Sequence, residues 1–220
     1  MDINDEIFQR QKYPKFGRKN PEPMDFQFWE YMVKTGNSAW WAREQFGCTN
    51  KLQEGPIWTF ERHGMSSTSL PDGRVVYISG EHEDHYDPDF CIYNDVIVLH
   101  PNGDINIYGY PLEVFPPTDF HSATLVDNYI YIVGSLGYVQ DRIPGTTPVY
   151  RLDCQTLGME KIEATGNNPG WISDHEAEFV QEKNCLIIQQ GKIIKLQGND
   201  QVYLDNTETF WLDLSSYTWF

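Results

Sequence analysis

Residues 81–89 read Glu-His-Glu-Asp-His-Tyr-Asp-Pro-Asp, five carboxylates and two imidazoles in nine positions. Oxygen donors in such number suit calcium or manganese, and imidazole suits zinc. The spacing fits neither an EF-hand loop nor the His-Glu-x-x-His zinc motif, since His82 and His85 stand only three apart. A solvated or protein-binding acidic loop is the better reading. His63, His121 and His175, with Asp119 and Asp174 close by in sequence, would make a metal or catalytic centre only if folding gathered them. No Gly-x-Ser-x-Gly elbow, P-loop or glycine-rich dinucleotide turn occurs. No catalytic residue, metal or cofactor is therefore assigned.

The elements that must carry these residues explain the histidines differently. Each histidine precedes a β-type run that ends in glycine: 75–80, 129–134 and 186–191. A loop follows, then a run closed by leucine at Leu99, Leu152 or Leu212, then a short last strand. His63 to His121 is 58 residues, Gly80 to Gly134 is 54 and Leu99 to Leu152 is 53; the third unit follows at 54, 57 and 60. A period near fifty residues with four strands per unit marks propeller blades. Each histidine is then expected to make one local hydrogen bond, repeated from unit to unit, and Gly80, Gly134 and Gly191 are expected at equivalent places.

Over residues 56–220 the repeat resembles the kelch family. Arg62-His63-Gly64 and His121-Ser122 fit that family's first-strand pattern, and residues 68–76 resemble the first hairpin of galactose-oxidase-like propellers. Trp219 stands where a closing tryptophan is expected. The family's Gly-Gly doublet is reduced to its second glycine in each unit, as Ser79-Gly80, Val133-Gly134 and Gln190-Gly191. The copper-radical residues of galactose oxidase have no counterpart, so the resemblance implies a mainly β, kelch-like β-propeller fold and carries no enzymatic activity with it.

Residues 1–55 read as an N-terminal helical segment and 56–220 as a three-repeat β domain. Residues 1–23 are polar and proline-broken, and are expected to be extended or loosely packed. Pro23 can open a helix over 24–35, with Phe26, Trp29, Met32 and Val33 on one stripe and Gly36 as its stop. Asn37 or Ser38 can cap a second helix through Phe46. Trp29, Trp40 and Trp41 are expected to cover apolar surface of the β part. Residues 57–60 look like the closing strand of an incomplete unit. Three units are fewer than the roughly four to eight of a closed propeller. Covering by the helices, an open array, or a two-fold homodimer making six blades are the available solutions.

Acids outnumber bases 32 to 16, for a net charge of −16. That disfavours nucleic acid, whose phosphates would be repelled, and favours a basic partner. No secretory signal or membrane-length apolar stretch occurs, and Cys48, Cys91, Cys154 and Cys185 lack paired spacing, which suits free thiols in a cytoplasmic protein. These features point to a non-catalytic protein-binding module, similar to bacterial immunity proteins that block a cognate toxin. An enzyme of sugar or small-metabolite chemistry at the loop face is the alternative. The loops between second and third strands are expected to share one side, presenting Glu81, Asp84, Tyr86, Asp87 and Asp89 from the first unit and Tyr138, Asp141 and Arg142 from the second.

Overall fold

The computed structural model describes residues 3–47, 55–83, 89–198 and 200–220. Among these the protein is mainly β, with three α-helices and several antiparallel sheets.

Helix α1 (Asp5–Gln11) starts where Asn4 Oδ1 accepts the Ile7 N–H at 2.9 Å. Its acids lie in the first turn and Arg10 in the last, as the helix dipole favours. The extended chain expected over 1–23 is thus helical in part. Tertiary contacts hold it: Phe8 is fully buried, Gln11 Oε1 accepts from Phe28 N at 2.8 Å, and the Gln11 carbonyl accepts from Trp29 Nε1 at 2.7 Å. Strand β1 (Glu22–Pro23) follows. Helix α2 (Gln27–Thr35) begins later than Met24, because the Met24 N–H is committed to the Ile107 carbonyl at 2.8 Å. Gly36 ends α2 in the left-handed conformation at φ 64°. Helix α3 (Ala39–Gln45) is capped by Ser38 Oγ, which accepts from Trp41 N at 3.1 Å.

Residues 57–60 do not form a strand. The Trp58 N–H instead bonds the Lys12 carbonyl at 2.7 Å, and its indole stacks on Trp29 with centroids 4.7 Å apart. Arg62 then closes a buried network. Its guanidinium grips Asp95 by two nitrogens, at 2.5 and 3.0 Å, and stacks 3.5 Å over the Tyr93 ring; Trp58 Nε1 donates to the same carboxylate at 2.8 Å.

Three antiparallel meanders succeed one another. The first comprises β2 (Ser66–Ser69) and β3 (Val75–Ile78), a side ribbon of β4 (Glu81–His82) and β5 (Cys91–Ile92), then β6 (Val96–Leu99) and β7 (Ile105–Gly109), with β1 added outside β7. The second is β8 (Ser122–Val126), β9 (Tyr129–Val133), β10 (Val149–Asp153) and β11 (Met159–Lys161). After β12 (Thr165–Gly166) and β13 (Trp171–Ser173), the third runs through β14 (Glu176–Val180) and β15 (Cys185–Gln189). A hairpin of β16 (Lys192–Gln197) and β17 (Asp200–Asp205) interrupts it before β18 (Phe210–Asp213) and β19 (Thr218–Trp219). β12 pairs in parallel beside β19, and β13 joins the hairpin in a separate small sheet.

The period of two along each strand stacks these sheets. Ile97 and Ile107 face the helices, in a cluster with Phe8, Phe28, Trp29 and Met32. Their neighbours Val96 and Val98 pack with Ile130 and Ile132 of the second sheet. Tyr131 and Val133 turn the other way, onto Leu186 and Ile188 of the third. The last outward face is open and mixed, bearing Glu176, Glu178 and Gln189 beside Ile187 and Trp211. Trp40 remains 54% exposed and Trp41 packs against Tyr31 and Phe46, so of the three expected tryptophans only Trp29 is seated at the β core.

The units are registered by backbone bonds at their first strands. Phe120 N donates to the Gly64 carbonyl and Asp174 N to the Phe120 carbonyl, both at 2.9 Å. Gly64, Phe120 and Asp174 all have positive φ, so they are equivalent. Met65 therefore corresponds to His121 and His175, and His63 does not: it is exposed and pairs with Glu81. The glycine expectation also shifts by one in the second unit. Gly80 and Ser135 each donate to the chain entering the next unit, at Thr118 and Ile172, while Ser79 and Gly134 each donate across to the strand-entry segment, at Asp95 and Pro148. Gly134 thus replaces Ser79, and Ser135 replaces Gly80. Gly191 keeps the Gly80 place, where an added Cβ would sit 2.8 Å from His175 Cβ, as it would sit 2.7 Å from Met65 Cβ at Gly80.

Candidate binding face

The chain between the second and third strands of each unit supplies one loop: 79–95, 134–148 and 190–209. These loops touch in order. Tyr138 Oη accepts the Ile92 N–H at 2.9 Å, and its ring meets Phe90 edge-on at 5.6 Å, which joins the first loop to the second. Arg142 joins the second to the third, donating to Gln201 Oε1 at 3.0 Å and Tyr203 Oη at 2.5 Å. Gln201 Nε2 returns a bond to the Val139 carbonyl at 3.1 Å. Arg142 also holds its own loop through the carbonyls of Leu136 at 2.8 Å and Gly137 at 3.0 Å.

On this scaffold stand large side chains that folding leaves in water. Val139 is 59% exposed, Ile143 62%, Leu196 59%, Tyr203 52% and Leu204 45%. Cross-strand pairing sets Leu196 opposite Gln201 and Ile193 opposite Leu204, so the projecting hairpin carries apolar groups on both faces.

Behind the loops lies a carboxyl pair. Asp119 is fully buried; its Oδ1 accepts from Gly137 N at 2.6 Å and Ser135 Oγ at 3.2 Å. Burial, then the charge and hydrogen bond of Asp119, push the Glu81 carboxyl up to about 7. Burial raises Asp119 as well, opposed by the Gly137 N–H and Ser135 hydroxyl. Both carboxyls are therefore held above the usual range, and the two titrate as a coupled pair. His121 and His175 are buried links between sheets: their Nε2 atoms lie 2.8 Å from Ser66 Oγ and Ser122 Oγ of the preceding unit. Burial depresses them to about 3 and about 4, so both are neutral.

Of the residues nominated from sequence, Tyr138, Asp141 and Arg142 lie in the second loop, with Asp141 exposed and Tyr138 and Arg142 partly buried by the bonds above. Glu81 sits at the carboxyl pair. Asp89 is 3% exposed and bonds Arg43 at 2.7 Å, tying α3 to the first loop, so it is not a rim carboxylate. Asp84, Tyr86 and Asp87 lie outside the described residues. The third loop is not nominated by the sequence: Lys192–Gln197 is a strand-like run, but it falls inside the connection that the repeat assigns between Gly191 and Phe210. In the sequence Asp119 stands out only as a neighbour of His121.

Cys91, Cys154 and Cys185 are buried free thiols, and among the described residues no helix is long and apolar enough to cross a membrane. No family model matches the chain, and a search of curated proteins finds no match.

Proposed function

We propose that the chain is a kelch-like propeller fragment of three blades, capped at one end by helices, whose loop face binds a basic protein. Three successive four-stranded meanders with linked first strands support the blade reading. The observation that carries the binding reading is the exposed apolar set of Val139, Ile143, Leu196 and Tyr203, contributed by two units and joined through Arg142 and Gln201. Clustered exposed apolar surface of this kind marks an interaction site. The chain's net charge of −16 favours and steers a basic partner. Blocking a basic toxin, as immunity proteins do, is the narrower form of this function.

An enzymatic reading has the Glu81–Asp119 pair in its favour. Full burial of Asp119, with Oδ1 already occupied, favours a role in holding the base of the face.

A photo-crosslinking residue at Val139 or Tyr203, compared with one at Glu178 on the open outer sheet face, tests the proposal in the native cell. A single basic protein captured from the loop positions is expected. Capture from Glu178 alone would place binding on the outer face and overturn it.

A further inference from the structure

Between the second loop and the closing strand of the third unit lies a cavity of about 370 Å³. That is within the size range of sites for small ligands or a single anchoring side chain. Tyr138, Tyr150, Trp171 and Trp219 contribute aromatic wall, and prolines and aliphatic groups much of the rest. Two carboxylates, Asp141 and Glu163, belong to the lining and stand in solvent. The one cationic lining residue, Lys161, is spent on Glu163 at 2.7 Å, in an exposed pair that contributes little to stability.

Aromatic faces beside carboxylates favour a cation, and apolar walls favour an aliphatic stem. An anion would meet the Asp141 carboxylate, and a purely apolar group would leave it to water; Glu163 is already answered by Lys161. The cavity adjoins the exposed Val139 and Ile143 and contains Ile143 in its lining. An occupant delivered by a partner on the loop face therefore reaches it without crossing the protein.

We infer that this cavity receives a lysine or arginine side chain from the basic partner, with the stem along the aromatic and proline wall and the charged head at Asp141. The inference rests on the protein-binding reading of the loop face. It adds the anchor to that face.

The test titrates the full chain with Nα-acetyl-lysine N-methylamide, its arginine counterpart, the norleucine isostere and free cadaverine, following the indole N–H resonances of Trp171 and Trp219. The lysine or arginine compound should shift both resonances saturably and bind about tenfold tighter than norleucine. Asp141→Asn should weaken that binding by about fivefold or more, with thermal unfolding unchanged because the side chain is exposed. Norleucine binding as tightly as lysine would overturn the charge assignment. Cadaverine binding much tighter than the capped amino acids would replace the protein anchor with a free amine. Absence of any saturable shift, with crosslinking at Val139 retained, would overturn the cavity alone and leave the face standing; loss of both would remove the face as well.

Discussion

His121 Nε2 lies 2.8 Å from Ser66 Oγ, and the bond passes from the second unit to the first. His175 repeats it to Ser122 of the second unit, also at 2.8 Å. Of the three histidines that could have suggested a metal centre, His121 and His175 are therefore sheet-to-sheet links, buried and neutral, while His63 stands exposed. Truncating one leaves a serine hydroxyl without its partner. His121→Ala should destabilise the chain by about 1–3 kcal/mol. The double variant His121→Ala/Ser66→Ala should cost less than the sum of the two single variants, a coupling read from urea unfolding. Strict additivity would show that the bond contributes nothing.

The buried Arg43–Asp89 pair makes a second prediction. Its side chains are only 2% and 4% exposed. Removing one partner strands the other charge, so Asp89→Ala should cost about 3–5 kcal/mol. A surface carboxylate would cost under about 0.5 kcal/mol. Chemical denaturation of the single variant distinguishes these outcomes.

Stability should depend on pH through two opposing sets of groups. Folding raises the Glu81 pKa from 4.5 to about 7, so its contribution is complete below 4.5 and is lost as pH climbs through about 7. His121 and His175 are depressed from 6.5 to about 3 and about 4, so theirs is complete above 6.5 and is lost as pH falls. The melting temperature of Glu81→Gln, relative to the parent, should rise across the interval from 4.5 to about 7 and level off above it. A flat difference across that interval would show that Glu81 titrates normally.

Trp29 is fully buried and stacked on Trp58, with the first sheet's Ile97 and Ile107 in the same cluster. Trp29→Ala should therefore cost about 3–5 kcal/mol. Deleting residues 1–50 uncovers that sheet face and should give aggregating protein. A soluble truncation that unfolds cooperatively would show the helical layer to be dispensable.

Much of the β part was legible because both faces of its central strands are buried. Runs such as Val96–Leu99 and Tyr129–Val133 are continuously apolar, and turn residues bound them. The phase within a unit was less legible. His63 looked like His121 in sequence, yet the equivalence is set by backbone bonds and positive φ at Gly64, Phe120 and Asp174, which different residue types satisfy. α1 was missed because seven residues hold too little periodicity, and its helix depends on Phe8 and Gln11 meeting α2. In the candidate face, Tyr138, Asp141 and Arg142 could be placed from loop position alone. Asp89 could not, since its neighbour Arg43 is 46 residues away.

The protein captured at Val139, once isolated, allows the loop face to be tested by equilibrium binding at low and physiological salt. Val139→Glu with Tyr203→Ala removes exposed apolar surface from two of the loops. Binding there predicts a loss of about 2 kcal/mol or more in the double variant, with parent affinity falling as salt rises. An unchanged Kd in that variant, together with a weakened Kd on substituting Glu178 or Trp211 of the open third sheet, would contradict it.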